Sequence, residues 1–239
     1  METIKLKTPF KGMVAHRGAA FINTENTMKA FECSSKLTYV GLECDVHPSK
    51  DGKIVISHDS NLQRVSGTDL FIPNYTYDEI KQVKFIDINT NEKSDELFAP
   101  LLSDYLDLCI KTNKIPVVEL KETLREEDLY TIKDMIIEKG LEEKVVFISF
   151  FPGYLVKLRQ YFKKCEMQFL TQVYSEAILD MCVLFNLGID ALYTIMTEDI
   201  IKAYHKNNLK VNVYTVNDLD VAEKLISWGI DYITSNVIE

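Results

Sequence analysis

The chain has 239 residues, 46% of them apolar and 26% charged, a balance that excludes disordered, collagen-like and low-complexity classes. Acids outnumber bases by 36 to 27, giving a net charge of −9, the opposite of what a nucleic-acid binder carries. The length suits one large domain or two small ones, and no linker rich in Gly, Pro or Ser divides it, which points to one domain.

Taken in order, short apolar runs read as strands at 13–16, 41–47, 53–58, 116–121, 145–150, 167–171, 190–194, 210–216 and 231–235. Helical patterns lie between them. Segment 103–112 opens at Ser103, a candidate N-cap, and predicts Leu106, Cys109 and Ile110 on the buried face. Segment 128–139 spaces Leu129, Ile132 and Ile136 for one face before Gly140. Segment 175–187 does so with Ile178, Leu179 and Cys182 before Gly188, and segment 218–228 with Leu219, Ala222 and Ile226 before Gly229. Two departures interrupt this alternation. Residues 41–58 pair two strand patterns across the turn signal PSKDG, and residues 60–101 exceed an ordinary βα loop. Repeated strand–helix alternation means a parallel sheet covered by helices, either a closed (β/α)8 barrel or an open doubly wound sheet. The missing G-x-G-x-x-G weakens the dinucleotide-binding version of the open sheet.

The first residues hold no long apolar stretch, so no signal peptide is expected, and no run reaches the ~20 residues of a membrane span. Five scattered cysteines (33, 44, 109, 165 and 182) without a CxxC predict buried, reduced thiols and a cytoplasmic protein.

Strand alternation places Glu43 and Asp45 on one face of GLECDVH, and Glu119 and Lys121 on one face of PVVELK. Carboxylates inside apolar strands are costly unless paired or bound to a cation, and an all-oxygen set suits Mg²⁺ or Ca²⁺. The alternative is plain ion pairing, for instance Glu119 with Lys121. Of the four histidines, His16 and His58 end strand patterns, where two imidazoles fit a general acid and a general base. His47 and His205 read as structural and surface residues. Arg17, one of four arginines, follows His16 and suits a phosphate or carboxylate.

In order, these residues resemble the glycerophosphodiester phosphodiesterase family. The resemblance rests on His16-Arg17-Gly18, Glu25-Asn26-Thr27, Glu43-x-Asp45, Asp51-Gly52 and His58-Asp59, then PVVELK, Ser149-Phe150 and Tyr214-Thr215-Val216-Asn217. It implies a TIM barrel, with residues 60–101 as a small insertion over the mouth of the site. It also implies hydrolysis of glycerophosphodiesters, such as glycerophosphocholine or glycerophosphoethanolamine, to glycerol 3-phosphate and an alcohol. Under it Glu43, Asp45 and Glu119 hold Ca²⁺ or Mg²⁺, His16 and His58 are the acid/base pair, and Arg17 and Lys121 contact phosphate. His16 is the preferred base and His58 the preferred acid, with the reverse order open, as is attack by water or by a glycerol hydroxyl. The chain departs from the family pattern at Thr24, Ser49 and Tyr214. Glu25 and Asn26 either organise the first helix, with Thr24 or Asn26 as its cap, or touch ligand. Two other functions compete: a phospholipase D-like barrel for lyso-lipids, using Leu70, Phe71, Ile72, Tyr75 and Tyr77, and a silent metal- or phosphate-binding barrel.

Overall fold

The computed structural model describes residues 2–239. Among the described residues nine strands form: β1 (Met13–Ala15), β2 (Gly41–Pro48), β3 (Ile54–Ile56), β4 (Ile115–Leu120), β5 (Val146–Ser149), β6 (Glu166–Thr171), β7 (Gly188–Leu192), β8 (Val211–Tyr214) and β9 (Tyr232–Ser235). All but β3 pair in parallel. The order β1-β9-β8-β7-β6-β5-β4-β2 closes because β1 also pairs β2, Val14 opposite Gly41 and Ala15 opposite Leu42. The result is a closed eight-stranded parallel barrel, and the open-sheet alternative is gone. Strand β3 folds back antiparallel on β2 through the predicted turn, where the Ser49 amide donates to the Lys53 carbonyl at 2.8 Å.

The barrel has two apolar layers because each strand alternates. Leu42, Cys44 and Val46 face outward into a large core shared with the helices, while Val14, Val117, Val146 and Ile148 fill the barrel interior. Outside lie α1 (Met28–Ser35), α4 (Leu102–Thr112), α5 (Glu126–Glu138), α6 (Pro152–Arg159), α7 (Glu176–Phe185), α8 (Glu198–Lys206) and α9 (Leu219–Ser227). Helix α5 buries Leu129, Ile132 and Ile136 as the spacing predicts.

Local details differ from expectation. Helix α4 begins at Leu102 after Leu101, so Ser103 lies inside it and caps nothing. Its buried stripe is Leu102, Tyr105, Leu106 and Cys109; Ile110 is one further step of about 100° round the axis and is exposed. In α9 the inner positions are Ala222 and Leu225, with Ile226 half-buried. Thr27, not Thr24 or Asn26, caps α1, its side chain accepting from the Ala30 amide at 3.2 Å. Four of the cysteines are buried, but Cys33 is exposed.

Residues 60–101 hold two single-turn helices, α2 (Gln63–Ser66) and α3 (Tyr77–Ile80). They pack around their own apolar cluster of Leu62, Leu70, Ile72, Ile80, Phe85 and Leu97, seated on Val55 of β3. Leu70 and Ile72 are therefore spent on packing, while Phe71 and Tyr75 remain exposed. Among the described residues no helix is long and apolar enough to cross a membrane.

Candidate active site

The C-terminal ends of the strands surround a cleft of about 270 Å³, lined by His16, Arg17, Glu43, His58, Glu119 and Lys121 together with Ile148, Phe150, Leu170, Gln172, Asp190, Tyr214, Thr215 and Thr234. This is the face on which barrels of this architecture build their sites. His16 and Arg17 form a tight turn directly after β1. Its backbone is left-handed at Arg17, Gly18 and Ala19, with φ of 52°, 79° and 63°. A Cβ on Gly18 would lie 2.8 Å from the Ala30 Cβ, so the turn presses on α1 where only glycine fits. Non-glycine residues in this region mark strain held by surrounding structure, a common feature of functional loops.

The charged centre is three carboxylates and two cations. Glu43 and Asp45 on β2 and Glu119 on β4 each offer an oxygen within 4.8 Å of the others, and all three are buried. Lys121 places Nζ 2.7 Å from Glu119 Oε1 and 2.8 Å from Asp45 Oδ1. The ion pair posed as an alternative to a cation site is thus present together with the carboxylate cluster. Arg17 Nε lies 3.5 Å from Asp45 Oδ2, and the Arg17 amide donates to Glu43 Oε2 at 2.9 Å. Glu43 Oε1 is buried with no hydrogen-bond partner.

Electrostatics divide the cluster. Burial, then Asp45 and Glu119, pushes the Glu43 carboxyl well above its ordinary range. Burial and Asp45 raise Glu119 to about 8, against the pull of Lys121. Burial also opposes the charge on Asp45, but Lys121 and Arg17 outweigh it and hold that carboxyl well below the usual range. Three acids facing two cations cannot all be neutralised by them, which adds to burial in pushing Glu43 and Glu119 up, and an orphaned buried oxygen asks for a further partner. The oxygen-only donor set fits a hard divalent cation of the Ca²⁺ or Mg²⁺ kind.

The two histidines are held differently. His16 Nδ1 lies 2.7 Å from Asn236 Oδ1, which assigns the proton to Nδ1 and leaves Nε2 as an acceptor. Burial, with Arg17 beside it, takes His16 down to about 4. His58 Nδ1 lies 2.7 Å from the Asp59 carboxylate. Burial lowers His58 too, while Asp45 and Asp59 pull the other way. His47 is buried outside the cleft lining, its Nδ1 2.7 Å from Thr123 Oγ1 and its Nε2 3.1 Å from the His58 carbonyl, so it supports the backbone of His58. His205 is on the surface with Asp231.

Some neighbours were not legible. Asn26, ambiguous in sequence, is buried and donates from Nδ2 to Asp45 Oδ2 at 2.7 Å. Glu25 pairs with Arg17 at 3.0 Å. Asp190 on β7 is buried on the cleft wall, and its Oδ1 has no partner. The scarcity of arginine was the one signal for Arg64, described below.

Residues 16–239 match the Glycerophosphoryl diester phosphodiesterase family. The chain belongs to that family. Membership makes it an enzyme, a phosphoric diester hydrolase. It is 30% identical to the Bacillus subtilis protein YqiK, the alignment covering 91% of each chain. It is 26% identical to a glycerophosphodiester phosphodiesterase of Bacillus altitudinis, again over 91% of each. Among solved structures it resembles an Oleispira antarctica phosphodiesterase in complex with its product sn-glycerol-3-phosphate, with a TM-score of 0.85 and 22% identity, covering 95% of this chain and 93% of that one.

Proposed function

We propose that the chain hydrolyses glycerophosphodiesters, such as glycerophosphocholine or glycerophosphoethanolamine, to glycerol 3-phosphate and an alcohol. One observation carries the reading: a single cleft is lined by two histidines with differently anchored Nδ1 atoms, by Glu43 and Glu119 of the carboxylate cluster, and by Arg17 and Lys121. Family membership and the product-bound neighbour support it.

In this reading Glu43, Asp45 and Glu119 hold the divalent cation. When bound, that cation supplies positive charge to the phosphoryl oxygens. Arg17 and Lys121 face the same oxygens and neutralise the charge that grows in the transition state. Lys121 is buried, yet Asp45 and Glu119 outweigh the burial and keep it charged. His16, neutral and with a free Nε2, takes the proton of the attacking oxygen, either that of water or that of the glycerol hydroxyl; in the second case a cyclic phosphate forms first and water then opens it by the reverse proton transfers. His58, backed by the Asp59 carboxylate, gives a proton to the departing alkoxide, which is otherwise a poor leaving group. As the new P–O bond forms, the bond to the alcohol breaks, and exchange with solvent resets both imidazoles. Residues 60–101 act as a cover beside the mouth, fixed on β3 by their own core.

A second reading, turnover of lyso-lipids, has one observation in its favour. Phe150 lines the cleft half-exposed, with Phe151 exposed next to it and Val173 exposed beside the cleft residue Gln172. Product analysis tests the main reading. Phosphorus NMR of glycerophosphocholine turnover is expected to show glycerol 3-phosphate. Phosphocholine would mean that the other ester bond breaks, and turnover of the lyso-lipid alone would favour the second reading.

A further inference from the structure

We propose that Arg64 is a positioning residue through which the insertion sets both His58 and Arg17. Arg64 lies on α2, outside the cleft lining. Its Nε donates to Asp59 Oδ2 at 2.6 Å. Its Nη1 and Nη2 donate to Glu25 Oε2 and Oε1, each at 2.8 Å. The far oxygen of Asp59 faces His58 Nδ1 at 2.7 Å, and Glu25 Oε1 also accepts from Arg17 Nη1 at 3.0 Å. One guanidinium thus closes a chain of five side chains: His58, Asp59, Arg64, Glu25 and Arg17.

Each link removes a freedom the chemistry cannot tolerate. A carboxylate behind an imidazole fixes its tautomer and ring direction only if the carboxylate is itself held. Asp59 is held at both oxygens, by His58 and by Arg64. Glu25 is held in the fork of Arg64 and presents the shared oxygen to Arg17. A lysine has no fork and reaches one carboxylate as a point charge, so it cannot replace this geometry. The Arg64 side chain is 48% exposed, so solvent screens its ion pairs, while the bidentate contact and the network keep part of their stabilising effect. Its loss is therefore expected to cost modest stability and a larger share of geometry, which melting and kinetics separate.

The test uses the metal-loaded enzyme with glycerophosphocholine and the variants Arg64→Met and Arg64→Lys. Both are expected to fold and to melt a few degrees below the wild type at most. Their kcat is expected to fall about 10- to 100-fold, the usual loss when a partner behind a site residue is removed. KM is expected to rise as Arg17 loses its orientation. Added guanidinium ion is expected to restore part of the R64M rate. Removing Arg64 on top of Asp59→Asn is expected to cost less than about threefold more in kcat, because the two act as one unit. On top of Glu25→Gln it is expected to add little further to KM. R64K carries the test if R64M loses its fold. A folded R64K or R64M with kcat and KM within about twofold of wild type, or losses that add independently to those of D59N and E25Q, overturns the inference. The inference rests on the roles proposed for His58 and Arg17. A fully active His58→Ala would overturn that reading itself, whereas a normal R64M beside an inactive H58A overturns only the role of Arg64.

Discussion

Glu43 and Asp45 sit two residues apart on β2, point to the same side and are driven to opposite ends of the carboxylate range. Lys121 and Arg17 sustain the charge on Asp45, whereas at Glu43 burial, then crowding by Asp45 and Glu119, outweighs Arg17. Without a further cation the cluster therefore favours a protonated Glu43.

Glu43→Gln tests this directly. The variant removes a crowded acid, so the metal-free protein is expected to melt at or above the wild-type temperature. Affinity for Ca²⁺ and Mg²⁺ is expected to fall at least ~100-fold, beyond the usual cost of losing an outer partner. The metal-induced rise in melting temperature should vanish with it. Calorimetry and thermal melts with and without metal check both points; a wild-type metal shift in E43Q contradicts the assignment.

The pH dependence has a sign. Glu119 is raised from 4.5 to about 8 in the folded protein. A raised carboxyl contributes stability below its unfolded value, and that contribution is lost as pH rises through about 8. The metal-free wild type is therefore expected to lose stability relative to Glu119→Gln as pH climbs from 4.5 to 8. Metal affinity is expected to rise over the same window, since binding releases protons. Denaturation and titration across pH measure the two trends, and a flat profile in both contradicts them.

His16 acts in the other direction. Its folded value of about 4 lies below the unfolded 6.5, so stability is lost as pH falls through that interval. The loss is up to about 3 kcal/mol. His16→Gln is expected to remove this acid sensitivity, as read by urea unfolding at pH 7 and pH 4.5. Equal sensitivity in both proteins would show that His16 is not the group responsible.

The proposed acid and base roles separate by leaving group. His58→Ala is expected to lose about 10²- to 10⁴-fold in kcat with a choline leaving group. It should lose much less with a nitrophenyl diester, whose leaving group needs no proton. His16→Ala should be slow with both. Steady-state kinetics on the two substrates decide it, and the opposite pattern exchanges the roles.

Asp190 predicts a stability gain. Its carboxyl is buried, lacks a partner at Oδ1 and is raised well above 3.8, burial being the main cause and Glu119 the next. Asp190→Asn is expected to stabilise the metal-free protein by about 1 kcal/mol at pH 8 and less at pH 5, because the cost of ionisation enters as pH rises. Unfolding at the two pH values checks the difference.

What the sequence showed and hid follows physical lines. Period-two alternation in GLECDVH and PVVELK already carried the faces of Glu43, Asp45, Glu119 and Lys121, because strand geometry is local. Strand existence was legible throughout, since parallel strands buried on both faces read as apolar runs. Barrel closure was not local: it depends on β1 pairing with both β2 and β9. The cap of α1 was expected at Thr24 or Asn26, three positions or one before Thr27, because all three offer similar chemistry and only backbone direction chooses among them. The supports of the site were hidden by distance along the chain. Asn236 reaches His16 across 220 positions, and Arg64 reaches Glu25 across 39. Nothing in local periodicity encodes such pairs.

Metal-dependent phosphodiester hydrolysis in this cleft is the proposal on which the others rest. Its most direct test is glycerol 3-phosphate release from glycerophosphocholine, run in parallel with EDTA, Ca²⁺ and Mg²⁺. Release is expected with at least one of the two ions, and none after chelation. Release that persists undiminished in EDTA, or no release from a folded and metal-loaded protein, would contradict it.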